Sequence, residues 1–278
     1  MVFRWVIVSI TAVASAPAAA VVHAQAIPPQ SLRSTAAITG SKGGERVTLG
    51  GAVFVEVPSR AFPGNSFVYL VTARHILLDD NGRPIPKLAV VLEDPQSSGI
   101  VEQPLPDEGR WIIDPGHQSA DVAALPFGSS AKVAPIPLSQ LFAEADQARE
   151  GLIPATVDVG AQCYYLTATA LGEEKPRFVP LTRFCRVSVA DAVQAQVPGA
   201  GNQSMYFIDA SGAPEFRGAP VFAQAEGRYV LFGLMEPQAA GADSSLTGLI
   251  GVLPAGYIAE TVEAMAEAQE RKAKAAKK

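Results

Sequence analysis

The chain has 278 residues, 48% of them hydrophobic and 18% charged, with a net charge of −5. That is ample for a packed core in one large domain or two small ones. Lys and Arg are not pooled anywhere except in the last residues, so the sequence carries no nucleic-acid footprint.

The N-terminus has the layout of a secretory signal. Arg4 precedes an apolar run from Trp5 to Val13. An Ala-rich stretch with Pro17 follows, then two small-residue cleavage patterns, Val22-His23-Ala24 and Ala24-Gln25-Ala26. A retained membrane anchor is the alternative, since the stretch is about long enough to span a bilayer at ~1.5 Å per residue. Ser9, Thr11, Ser15 and Pro17 weigh against it. The expectation is a signal over 1–26 and an exported protein, periplasmic or secreted, with no stable membrane insertion after cleavage. Residues 27–46 form an N-terminal segment.

From Val47 onward, short runs rich in Val, Ile, Phe and Tyr alternate with Gly, Pro, Asn and Asp, which reads as strands and turns. The first series is Ala52–Val57, Ser66–Val71, Lys87–Leu92, Arg110–Ile113 and Val122–Pro126. The second is Gln162–Leu166, Phe184–Val189, Ser204–Ile208, Ala219–Ala223 and Tyr229–Met235. Two such series predict two β-barrels or a sandwich. Between them, Ser129–Pro154 holds a turn with Pro135 and Pro137 and a polar stretch of helical character, and the connector is placed at 141–155. This gives a first barrel over 47–140 and a second over 156–256. A helix and basic tail occupy 257–278, with Ile258, Val262 and Met265 on one face of the helix.

Cys163 and Cys185 are the only cysteines, and both lie in strand-like runs. In an oxidising compartment, antiparallel partners at ~5.5–6 Å between Cα atoms can be bonded. The alternative is two buried free thiols. No Cys/His cluster has metal-ligand spacing and no Gly-rich phosphate loop follows a strand, so no cofactor or metal is expected. Asn202-Gln203-Ser204 is a glycosylation pattern that has meaning only in a eukaryotic secretory route.

Three segments carry chemistry. His75 closes a strand-like run in FVYLVTARHILL. His23 falls within the signal, and His117 lies in a polar loop. Asp121 opens the apolar run SADVAALPF, a position that by itself reads as a turn or cap. PEFRGAPVF, Pro214 to Phe222, precedes the strand pair PVFA and YVLFGLM. The Thr-Ala-X-His turn, the Asp-X-Ala-X-Leu run and this hairpin, in this order, resemble the trypsin-like (chymotrypsin-fold) serine peptidases, bacterial-type members in particular. The resemblance spans roughly Thr48 to Tyr257.

The resemblance implies an all-β fold of two six-stranded antiparallel β-barrels with a C-terminal helix. It implies His75 as the general base, Asp121 as the carboxylate that orients it, and a peptide or protein ligand in the cleft between the barrels. It also puts Arg217 where the family has its serine nucleophile, with Glu215 and Phe216 in the turn that supplies the oxyanion amides. Arginine offers no nucleophilic lone pair, and loss of the nucleophile costs a serine protease about 10⁶ in turnover. Pro237, after the last strand of the hairpin, brings no amide donor for a substrate backbone.

The expected function is therefore a proteolytically inactive, exported protease-fold domain that binds or scaffolds. The alternatives are an active serine endopeptidase using Ser211 with His75 and Asp121, and an unrelated all-β domain in which His75 and Asp121 lie apart.

Overall fold

The computed structural model describes residues 26–276, apart from 95–98, 107–110, 114–119, 129–134, 138–156, 172–176, 212–215, 226, 238–239 and 242–245. Residues 1–25 of the expected signal (1–26), His117, the expected connector at 141–155 and Glu215 lie outside the described residues. The chain is all-β, with two antiparallel sheets, one short helix α1 (Pro29–Arg33) and one long C-terminal helix.

The first sheet is built from β1 (Thr35–Lys42), β2 (Glu45–Pro58), β3 (Ser66–Ala73), β4 (Ala89–Glu93), β5 (Ile100–Pro104) and β7 (Val122–Pro126). Two-residue strands β6 (Ile112–Ile113) and β8 (Ile136–Pro137) add to it. The order is β5-β4-β1-β2-β3-β7-β6, with β8 beside β2. The second sheet has β9 (Gln162–Leu171), β10 (Arg177–Val197), β11 (Gly201–Asp209), β12 (Pro220–Ala225), β13 (Arg228–Glu236) and β15 (Ile250–Pro254). Two-residue β14 (Ala240–Gly241) pairs with β10. The order β11-β15-β13-β12-β9-β10 closes on itself because β10 also pairs with β11. Each barrel thus has six strands of five or more residues among those described, as the sequence led us to expect.

Period-two alternation sorts the side chains into three cores. On β2, Ala52 and Phe54 enter the first barrel with Ile38, Leu70 and Val90. The intervening Val53, Val55 and Val57 point the other way, against the second barrel. On β12, Val221 and Ala223 fill the second barrel, while Phe222 faces the seam and stacks on Tyr164. The helix α2 (Ala255–Ala275) lays Ile258, Val262 and Met265 into the same seam. It packs on β2, β3 and β7 of one barrel and on β13 and β15 of the other. Ser59 Oγ and the Ala61 amide both donate to Glu270 Oε1, at 2.7 and 3.1 Å, and tie the helix to the first barrel.

Several elements differ from the sequence expectation; β5, β8 and β14, like β1, were not among the expected strands. β1 has no counterpart among the expected strands, because TAAITGSK mixes three β-branched residues with Ala, Gly, Ser and Lys and shows no period-two alternation. Its Ala36 and Ala37 are small where β1 is buried on both faces. β10 runs for 21 residues instead of six. Its first half pairs with β9 and its second with β11, and two register shifts bend it around the barrel corner. The helix begins at Ala255, two residues before the expected start at Tyr257, and continues into the basic tail as far as Ala275, with Lys272 and Lys274 in its last turn, where cations favour the helix dipole.

Cys163 and Cys185 are direct cross-strand partners on β9 and β10 and form a disulfide, with a Cα–Cα distance of 4.8 Å. No helix among the described residues is long and apolar enough to cross a membrane.

Candidate active site

β3 and β7 pair with Ala73 opposite Val122, so the residues just beyond this end of the ladder meet in space. After Ala73 the chain makes a single 3₁₀ turn, Arg74–Leu77, which buries His75. Asp121 lies just before β7, and it grips that turn at three points. Its carbonyl accepts from the Arg74 amide (3.1 Å) and its Oδ1 accepts from the His75 amide (2.9 Å). Its Oδ2 is 2.5 Å from His75 Nδ1. The second barrel holds Asp121 from behind, through Gln203 Oε1, which accepts the Asp121 amide at 3.1 Å. His75 and Asp121 are thus neighbours, contrary to the unrelated-domain alternative.

Arg217 sits across the seam. Its carbonyl accepts the Gly51 amide of β2 at 2.7 Å, which docks the second barrel's turn on the first barrel. A side chain at Gly50 would place its Cβ 2.3 Å from that carbonyl oxygen, so this approach requires glycine. Gly218 follows at φ +69°, the left-handed region, and a Cβ there would meet Thr72 Oγ1 at 2.6 Å. The Gly218 amide donates to the Met235 carbonyl, and the Met235 amide to the Ala219 carbonyl, each at 2.8 Å. These two bonds set Arg217 beside Glu236, the last residue of β13.

Glu236 was not singled out from the sequence, yet it decides the geometry. It is 3% exposed, and its Oε2 is 3.0 Å from His75 Nε2. Its Oε1 is 4.0 Å from Arg217 Nε. Both nitrogens of the ring therefore face carboxylate oxygens, which only accept hydrogen bonds. A neutral imidazole has one N–H and would turn a lone pair toward one carboxylate; the doubly protonated ring satisfies both. Burial alone would push the His75 pKa down. The hydrogen bonds to Asp121 and Glu236, with their charges, outweigh that and raise it to about 9. The signal in the sequence was a glutamate closing the otherwise apolar strand YVLFGLME, the mirror image of Asp121 opening one.

Ser211 is exposed beyond the end of β11, and its backbone carbonyl accepts the Tyr165 hydroxyl. It makes no contact with His75, whose side-chain partners are Asp121 and Glu236. Phe216 turns into the second barrel, 4% exposed. Its ring meets Tyr165 edge-on at 5.4 Å, and the Arg183 guanidinium lies 5.4 Å from its centroid. A cleft of about 750 Å³ opens in front of His75 and Arg217, walled by Lys42, Leu49, Asp79 and Pro198 among others.

No family model matches the chain, and no curated protein matches it. Among solved structures it is similar to the crystal structure of Deg5, at 15% identity over 78% of this chain and 87% of that one, with a TM-score of 0.45. It is also similar to neuropsin, a serine protease expressed in the limbic system of mouse brain. That likeness has 18% identity over 86% of this chain and 97% of that one, with a TM-score of 0.46.

Proposed function

We propose that this chain is an exported member of the trypsin-like peptidase family whose proteolytic centre is inactive, and that it works as a peptide- or protein-binding module. The observation that carries the reading is the carboxylate of Glu236 on His75 Nε2. A general base needs a free lone pair on the nitrogen that faces the nucleophile. Here that nitrogen lies 3.0 Å from a carboxylate oxygen, which favours the protonated ring, and the turn beside it presents Arg217 instead of a hydroxyl. The orienting half of the machinery, Asp121 on Nδ1, is in place. Export is supported by the Cys163–Cys185 disulfide together with the leader-like N-terminus.

A fluorophosphonate probe tests the reading. Wild-type protein is expected to stay unlabelled. Arg217→Ser alone is expected to stay unlabelled too, because Glu236 still occupies Nε2. Arg217→Ser combined with Glu236→Ala should label at position 217. Labelling of the wild type would overturn the proposal, and a label on Ser211 would establish the active-endopeptidase alternative.

A further inference from the structure

We infer that the cleft takes a ligand ending in a free carboxylate, the C-terminus of a peptide, and that Arg217 is the residue that reads it. The inference rests on the inactive-cleft reading above and adds the class of ligand.

The charged groups around the cleft separate into those whose hydrogen-bonding capacity is used and those with capacity left. His75 faces Asp121 Oδ2 at 2.5 Å and Glu236 Oε2 at 3.0 Å, the latter at ion-pair distance without a well-aligned hydrogen bond. Asp79 accepts the amides of Asn81 and Arg83 on Oδ1, and on Oδ2 it meets Arg83 Nε and Nη2, each at 3.1 Å. Lys42 and Asp80 also line the cleft, but both are exposed. Arg217 is different in being part-buried. Its Nε is shut off from solvent without a hydrogen-bond partner, and its carboxylate neighbour, Glu236 Oε1, stands off at 4.0 Å. The guanidinium carries five donors in one plane, and among the described residues none of them is hydrogen-bonded. The side chain is 22% exposed and lines the cleft.

Asp121, Glu236, His75 and Arg217 together sum to zero formal charge. Bulk electrostatic attraction therefore does not select the ligand; donor geometry does. A planar fork of N–H donors is matched by a planar two-oxygen acceptor, which is a carboxylate. The position of the fork says which carboxylate. His75 and Arg217, with side chains 7% and 22% exposed, are buried more deeply than Asp79 at 32% and mark the inner end of the cleft. Val47, Leu49, Ile76, Leu78 and Pro198 supply apolar walls on the way in. A peptide that enters along these walls with its C-terminus leading brings its free carboxylate to this fork.

The test is isothermal titration of the full folded protein with three probes. They are N-acetyl-Ala-Val-Leu with a free carboxylate, the same peptide as its C-terminal amide, and the amide of N-acetyl-Ala-Val-Asp. The free acid is expected to bind on the order of tenfold or more tighter than its amide. Arg217→Gln, checked for an unchanged circular dichroism spectrum and melting curve, should erase that preference. Equal binding of acid and amide, no binding of either, or a preference that survives Arg217→Gln would each overturn the inference. Equal binding of the Asp-bearing amide and the free acid would also overturn it, since the site would then read any carboxylate. Fluorophosphonate labelling of the same preparation separates the two proposals. An unlabelled protein without acid preference loses only this one. A labelled protein loses the inactive reading itself.

Discussion

The two sides of the cleft are built to opposite ends. The first-barrel side holds His75 and Asp121 as an acid–base pair must be held, with three contacts from Asp121 to the histidine turn. The second-barrel side supplies Arg217 and Glu236, two charges where such a pair needs a neutral hydroxyl. On the proposed reading, orienting a base and giving it something to act on are separable in structure: one barrel does the first, the other withholds the second. The histidine–aspartate contact lies within one barrel, with Gln203 of the other behind it. Activity is a statement about the seam.

The largest effect should come from breaking the well-ordered side. Asp121→Ala leaves the buried histidine turn without its amide and ring partners and should cost about 3–5 kcal/mol of unfolding free energy in urea. A cost below 1 kcal/mol would mean that the pair does not hold the turn. Glu236→Ala attacks the other side. His75 can then revert to a neutral ring, so the loss should be smaller, about 1–3 kcal/mol by the same urea titration.

The pH dependence sharpens the comparison further. The folded pKa of His75 is raised from 6.5 to about 9. Its contribution to stability is therefore fully present below about 6.5 and is lost as pH rises through about 9. The groups that face it are Asp121, Glu236 and, beyond Glu236, Arg217. Wild-type stability should fall across this window, and Glu236→Gln should flatten the fall and move it to lower pH. Identical profiles for the two proteins would show that Glu236 does not hold the proton. The smallest effect is expected from Arg217→Ala, under about 1 kcal/mol, because the guanidinium stands at 4.0 Å from its carboxylate without a hydrogen bond. A melting temperature many degrees lower would make Arg217 a structural counter-ion instead of a ligand-reading group.

What could be read in advance followed from local pattern. His75 and Asp121 flank apolar strands that pair directly, but each motif alone was weak and the family resemblance supplied the pairing. The Cys163–Cys185 pair lies on a simple hairpin, which left the sequence choosing only between a bond and two buried thiols. Glu236 escaped because its position depends on two long-range ladders, β12 with β13 and β13 with β15, and on the Gly218–Met235 bond. A glutamate next to a proline otherwise reads as a solvated strand end. β1 escaped for the opposite reason: its alanines and glycine hide a strand that is buried on both faces. Residues packed between two barrels show neither clean alternation nor strong propensity, and the seam is where most of the site lies.

The helix α2 has a consequence for the order in which this molecule can be made. Val53, Tyr69 and Val122 of the first barrel share one buried cluster with Ile258, Val262 and Met265, which leave the ribosome about two hundred residues after Val53. Until those residues arrive, the outer faces of the early strands have no helix to cover them, and a nascent first barrel presents Val, Tyr and Ala to its surroundings. The cleft between the barrels therefore takes its shape last, after synthesis has passed α2.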